Sequence, residues 1–236
     1  MPGAVVATEH GLATALTHWR PPVSYCAFTE PARSAVDFEM RVAAALTQGA
    51  RTTAPWYLAI LVAWFDAVRD GPILAAMGFR RAASAFGLST QSLAAPRHSL
   101  PELTVRRARD REELAPLVTI NNRVYGAEPE HADDLYLQYV LTPGSCAMIG
   151  YVGDDAVTCA AAFPTAYGTY LGGVATDARW RGRGYAEAIC RRTLALSMAE
   201  TAQQRAVLFA SPNRSAYYES MGFSVGAEWL LFRLPE

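Results

Sequence analysis

Two hydrophobic periods alternate along the chain after residue 103. "LTVRRARD" sets apolar against polar positions at a period of two and predicts a strand. "DREELAPLVTINNRVYG" switches to helical spacing, with Asp110 placed to cap and Glu112 and Glu113 in the first turn, where acids favour the positive end of the helix dipole. A second helix is predicted through "ADDLYLQYVL". "CAMIGYVG" and "VTCAAAFP" read as strands joined at the hairpin turn "GDDA", and "YGTYLGGVAT" as the third strand of the run. Tyr185 to Glu200 carries Ala186, Ile189, Cys190, Leu194 and Met198 at the spacing of an amphipathic helix. "RAVLFAS" is then a buried strand, "NRSAYYESM" a helix and "GFSVGAEWLLFRL" a closing strand. The predicted order is β-α-α-β-β-β-α-β-α-β, a mixed α/β domain.

Part of that order recurs upstream. "VAWFDAVRDGPILAAMGFRRAASAFGL" can be laid over "VLFASPNRSAYYESMGFSVGAEWLLFRL" as strand, short helix, Met-Gly-Phe and strand. Met77-Gly78-Phe79 then matches Met221-Gly222-Phe223, with chance similarity as the competing explanation. Between the halves, "STQSLAAPRHSLPEL" is rich in Ser, Ala and Pro and lacks apolar periodicity, which marks a linker. The chain therefore divides into an N-terminal part at 1–88, a linker at 89–102 and a domain at 103–236.

Composition narrows the classes. At 236 residues with 51% hydrophobic and 18% charged residues, the chain can bury a core. A net charge of -1 and a pI near 6.4 give no global basic field for nucleic acid or an anionic membrane. All 21 basic residues are arginine, which removes lysine nucleophiles and Schiff-base chemistry. Cys26, Cys146, Cys159 and Cys190 show no C-x-x-C spacing and read as buried free thiols, with no metal site expected. "MPGAVVATEHGLATAL" lacks a basic n-region, and the apolar run "PWYLAILVAWF" falls short of the ~20 residues a membrane span needs. The expectation is a soluble, cytoplasmic protein.

The chemistry concentrates in "RWRGRGYA", Arg179 to Ala186, between the strand "YLGGVAT" and the helix that follows. Glycines there let successive N–H groups point into one concavity. The first N–H groups of a helix lack internal partners, and the dipole adds positive character, so a diphosphate is the natural occupant. Arg181 and Arg183 add charge at the rim. The stretch is single and embedded, unlike repeated RNA-binding RGRG segments, and it matches neither the P-loop nor the G-x-G-x-x-G spacing. A tight turn without a ligand is the bland alternative.

"VATDARWRGRGYAEAI" closely resembles motif A of the GNAT superfamily, the acyl-CoA-dependent N-acyltransferases, whose loop reads R/Q-x-x-G-x-G/A. Arg181, Gly184 and Ala186 occupy its fixed positions, and "SPNRSAYYESMGF" resembles the later signature of an asparagine and then a tyrosine before Gly-Phe. The resemblance covers Leu103 to Leu234. It implies a central mixed, mostly antiparallel sheet flanked by helices, preceded here by a smaller, degenerate copy of the fold. It implies acetyl-CoA as cofactor, its diphosphate held by Arg181, Gly182, Arg183, Gly184, Tyr185 and Ala186. Its pantetheine arm would run along the backbone of Val174, Ala175 and Thr176. Asn213 matches the asparagine that contacts the arm, and Tyr218 the tyrosine that protonates the departing thiolate.

The residues fit this chemistry, since a tyrosine near pKa 10 is a plausible donor to a thiolate of pKa about 8.5. A core aromatic beside Tyr217 is the structural alternative for Tyr218. One departure stands out: many members carry a glutamate base on the strand that here reads "TYLGGVAT", which holds no carboxylate. Glu128, Glu130, Asp133, Asp134 and His131 are the substitutes, although the acids equally suit a helix's first turn. In the N-terminal half Leu74 falls where Tyr218 sits, and no glycine-arginine loop precedes the helix "SAVDFEMRVAAALTQ". The expected function is transfer of an acetyl or short acyl group from acetyl-CoA to a small-molecule or peptide amine. An idle acyl-CoA-binding sensor is the alternative. Neither nucleic acid nor membrane is expected as a partner, and a homodimer is left open.

Overall fold

The structure is a computed structural model that describes residues 6–9, 11–16, 24–50, 56–125 and 140–235. Its contacts divide into two compact units, one running to Gly87 and taking in residues from Gly226 on, the other spanning Leu88–Val225. In the first, β1 (Val6–Glu9), β2 (Leu12–Leu16) and β3 (Ser24–Phe28) pair antiparallel in turn. The helix α1 (Ala35–Gly49) then crosses over to β4 (Trp56–Leu61), which is parallel to β3. A 3-10 turn at Val62–Trp64 leads to α2 (Asp70–Ala76) and β5 (Arg80–Thr90). α1 buries Phe38, Val42 and Ala45 in one cluster with Phe28, Leu58 and Ile60. Full burial of a Phe or Val side chain contributes about 1.5–3 kcal/mol.

The strand β11 (Ser224–Arg233) joins the strands of this first unit. It pairs antiparallel with β4 from Trp229↔Leu61 to Phe232↔Leu58, and Leu230 and Phe232 enter the same cluster. The sequence placed the whole of 103–236 in one domain, but the strand's own alternation does not say which strands it joins.

In the second unit, β6 (Leu103–Ala108) is followed by α3 (Arg111–Tyr125). Asp110 Oδ1 accepts the Glu113 N–H at 2.8 Å and Glu113 Oε2 accepts the Arg109 N–H at 2.8 Å, a reciprocal cap that starts α3 where the sequence predicted it. The helix expected through "ADDLYLQYVL" lies almost wholly outside the described residues. The strands β7 (Cys146–Val152), β8 (Asp155–Thr165) and β9 (Gly168–Thr176) form an antiparallel run with β6 at its edge. Gly153, at φ +60, supplies the left-handed residue that the tight β7–β8 turn requires. Next come α4 (Tyr185–Thr201), β10 (Ala206–Ala210), parallel to β9, and α5 (Pro212–Glu219). α4 buries Ile189, Cys190 and Leu194 as its periodicity predicted, whereas Ala186 and Met198 are half-buried and Thr193 and Ser197 share the buried face.

Element order repeats in full: β1-β2-β3-α1-β4-α2-β5 against β7-β8-β9-α4-β10-α5-β11. The Met-Gly-Phe turns agree in the bonds of their glycine and phenylalanine. Gly78 N–H reaches Ala75 O at 3.1 Å, and Gly222 N–H reaches Glu219 O at 2.9 Å. Phe79 N–H reaches Leu74 O at 2.9 Å, and Phe223 N–H reaches Tyr218 O at 3.1 Å. Both glycines are left-handed, at φ +84 and +99, where a side chain is strained. Leu74 thus occupies the position of Tyr218. The upstream strand starts earlier than the sequence overlay suggested, at Trp56, and residues 62–69 form a longer connection to α2.

The segment 89–102 is not a free linker. Its first two residues complete β5, the Ala94 N–H bonds to Met221 O at 2.9 Å, and Arg97 and Arg191 tie the stretch to α4. Polar bonds rather than apolar burial hold it, so no hydrophobic period marks it.

Candidate active site

β9 and β10 begin as neighbours and then part. Their pairing covers Ala206↔Thr169 and Val207↔Tyr170, yet β9 runs on to Thr176 and β10 to Ala210. On its other edge β9 bulges. Cys159 pairs with Ala175 and Ala161 with Gly172, so Gly173 and Val174 oppose one residue of β8. Gly173 takes φ +59, and a bulge of this kind bends a strand away from its neighbour. Buried Asn121 of α3 fixes it, its Nδ2 donating to Gly173 O and Leu117 O at 3.2 Å each. The gap opens into a cavity of about 620 Å³.

At one end of the cavity lies the glycine-arginine loop. Asp177 ends β9's run by accepting the Arg179 N–H at 3.1 Å, starting a 3-10 turn at Ala178–Trp180. Gly182 and Gly184 follow at φ +77 and +86, and Gly184 is the N-cap of α4. No side chain caps this helix, so its first N–H groups and its dipole are presented to the cavity. A Cβ at Gly182 would meet nothing within 4 Å, whereas one at Gly184 would come 2.8 Å from His98 Cδ2. Arg181 Nε donates to Thr176 O at 3.1 Å from the exposed rim. The loop's conformation suits a diphosphate, and the open strand edge suits an extended amide-bearing arm.

Tyr217 and Tyr218 of α5 also line the cavity, with rings 5.0 Å apart. Burial pushes both phenols well above their ordinary value, so both stay protonated at neutral pH. The two differ in surroundings. Tyr218 lies near Tyr125, Tyr170 and Arg214, on the side of the strand gap, and Tyr217 lies near Glu187 and Arg97. Tyr125, at the end of α3, donates its hydroxyl to Val174 O at 2.5 Å. That carbonyl retains a second lone pair for another donor.

Of the residues singled out in the sequence, Val174, Ala175, Thr176, Arg181, Gly182, Gly184, Tyr185, Ala186 and Tyr218 lie along the cavity. Arg183 and Asn213 do not. The Arg183 guanidinium stacks on Trp180 at 4.9 Å. Asn213 points to Ser211, with Oδ1 accepting the Ser211 hydroxyl at 2.5 Å, and it is Ser211 that lines the cavity. Arg97, His98, Tyr125 and Arg214 line it as well and were missed. Asn121 was legible in principle as a polar residue on the apolar stripe Leu114, Leu117, Val118, Ile120.

Carboxylates are committed elsewhere. Asp177 pairs with Arg179 and Arg123, and Glu187, the one acid among the described lining residues, pairs with Arg97 and Arg191. Glu128, Glu130, His131, Asp133 and Asp134 lie outside the described residues. The four cysteines are buried, and burial raises the Cys146 thiol to about 11 and the Cys190 thiol to about 12, above the range of a reactive nucleophile. No described helix is long and apolar enough to cross a membrane.

The fold is that of known N-acetyltransferases. It is similar to a GCN5-related N-acetyltransferase from Kribbella flavida, with TM-score 0.76 and 13% identity, over 100% of this chain and 91% of that one. A second GCN5-related N-acetyltransferase, from Sphaerobacter thermophilus, gives TM-score 0.69 and 15% identity, over 94% and 76%. A tandem GNAT protein from the clavulanic acid biosynthesis pathway gives 0.62 and 12%, over 98% and 83%. No curated protein matches the sequence. Residues 113–223 match the acetyltransferase (GNAT) family model, so the strand gap, loop and tyrosine all lie in a domain of the acetyltransferase (GNAT) family that this chain carries.

Proposed function

We propose that the protein transfers an acetyl or other short acyl group from acetyl-CoA to an amine. The parting of β9 from β10, with an uncapped helix start and Tyr218 both lining the cavity it opens into, is the observation that carries this reading. Bound acetyl-CoA would supply the acyl group as a thioester. The N–H groups around Gly182, Gly184, Tyr185 and Ala186, with Arg181, would hold its diphosphate, and the β9 edge at Val174–Thr176 its pantetheine arm. Arg183 and Asn213, off the cavity lining, take at most an indirect part.

Tyr218, kept protonated at Oη by burial, would give that proton to the thioester sulfur as the C–N bond forms and the C–S bond breaks, and the proton lost by the amine would return to the phenolate. Holding the two reactants in line contributes much of the acceleration. A catalytically idle acyl-CoA sensor is the second reading, favoured by the absence of an uncommitted carboxylate among the described lining residues. Thiol release from acetyl-CoA, measured over a panel of small amines and peptide N-termini, separates the two. Release that depends on one class of amine is expected. Cofactor binding with no release from any acceptor would favour the sensor.

A further inference from the structure

The first turn of α4 contains its own competitor for an anion. Glu187 is the third residue after the N-cap Gly184, the position from which an acidic side chain reaches back over a helix's free N–H groups. α1 shows that outcome in the same chain. Asp37 stands third after the N-cap Ser34, Ser34 Oγ accepts the Asp37 N–H at 3.1 Å, and Asp37 Oδ2 reaches back to the Arg33 N–H at 2.7 Å. Both acids have an arginine four residues on, Arg41 and Arg191, bonded to them.

What differs is a third group. Arg97, from the segment between the two copies, gives Glu187 two further hydrogen bonds, from its N–H to Oε1 at 3.2 Å and from Nε to Oε2 at 2.8 Å. Arg191 donates to Oε1 at 2.8 Å, and also to Ala94 O at 2.6 Å and Ala95 O at 3.2 Å, which fixes the segment against the helix. Glu187 is 3% exposed and lines the cavity. Its burial would raise its pKa, but the bonds from Arg97 and Arg191 outweigh this and hold it ionised. A bare carboxylate there would both repel a diphosphate and compete for the N–H groups that bind it.

We propose that Arg97 is a positioning residue for the anion site. It draws the Glu187 carboxylate off the N-terminal turn of α4 and neutralises it, so that the turn is available to the diphosphate of an acyl-CoA. This rests on the acyl-CoA reading above, and a second probe keeps the two separable.

The test is calorimetric binding of coenzyme A and of inorganic pyrophosphate to the parent, Arg97→Gln and Arg97→Gln/Glu187→Gln. Arg97→Gln should weaken both ligands roughly 10-fold, the equivalent of ~1.4 kcal/mol and within the range of a capping interaction. The double variant should recover most of the loss, because it removes the carboxylate although the strap's bonds stay broken. A merely structural role for Arg97 predicts no such recovery. Parent-like binding by Arg97→Gln, or a double variant as weak as the single, would overturn the proposal. If the parent binds pyrophosphate but not coenzyme A, the acyl-CoA reading fails and the pyrophosphate series still decides the role of Arg97. Binding of neither ligand overturns both.

Discussion

The two copies of the fold share their element order and their Met-Gly-Phe turns, yet they differ at each point where chemistry could occur. After the third strand of the first copy, α1 is closed by Ser34, with Asp37 turned back on its start. After the third strand of the second, α4 opens from Gly184 with no cap. At the other landmark, Leu74 is 2% exposed and belongs to the first copy's apolar cluster, while Tyr218 lines the cavity. The difference teaches that the fold needs the helix starts and the Met-Gly-Phe turns, but not an open helix N-terminus or a phenol. Those are additions, and they occur together in one copy.

The largest effect is expected where the difference is sharpest. Gly184→Asp should abolish coenzyme A binding, since its side chain would enter a left-handed position, meet His98 and place a negative charge at the diphosphate. Retention of binding within a few-fold in a titration would show that the loop holds no diphosphate. Gly182→Val is the milder change. There is room for its side chain, so its cost comes from φ +77 alone.

Tyr218→Phe should lower turnover roughly 10- to 100-fold, at or below the low end of the ~10²–10⁴ usual for acid–base groups, because a thiolate leaves fairly well unaided. Cofactor affinity should hardly change. Tyr217→Phe is the control, and steady-state rates with a true acceptor decide. A loss confined to Tyr217→Phe would move the proton donor to that residue, and no loss in either would assign it to water. The smallest effect is expected in the first copy. Ser34→Ala should cost about 1 kcal/mol of stability in a denaturant melt by loss of the α1 cap. Coenzyme A affinity should be untouched, and a matching drop would tie the first copy to the site.

Much of this contrast was legible in the sequence because it is local. Arg179 to Ala186 announces its backbone through glycines, the helix "SAVDFEMRVAAALTQ" visibly lacks such a loop, and the Met-Gly-Phe turns repeat verbatim. What remained hidden depends on distant partners. The alternation in β11 is the same whichever strand it joins, so its place beside β4 is set by burial of Leu230 and Phe232. Arg97 and His98 reach the site from a stretch whose bonds are polar and long in sequence range. Ser211 rather than Asn213 lines the cavity, as the N-cap residue before Pro212, a helix start that the apolar pattern does not mark.

On the reading proposed above, the second copy alone holds an acyl-CoA, by loop and strand gap together. Thermal melting in the presence of coenzyme A, NAD or ATP tests it most directly, because all three carry a diphosphate and one carries the pantetheine arm. At about 100 times its dissociation constant, coenzyme A should add roughly 2.7 kcal/mol and raise the melting temperature by a few degrees, with smaller shifts from the other two. Equal shifts from all three ligands would reduce the site to a generic anion pocket and contradict the account.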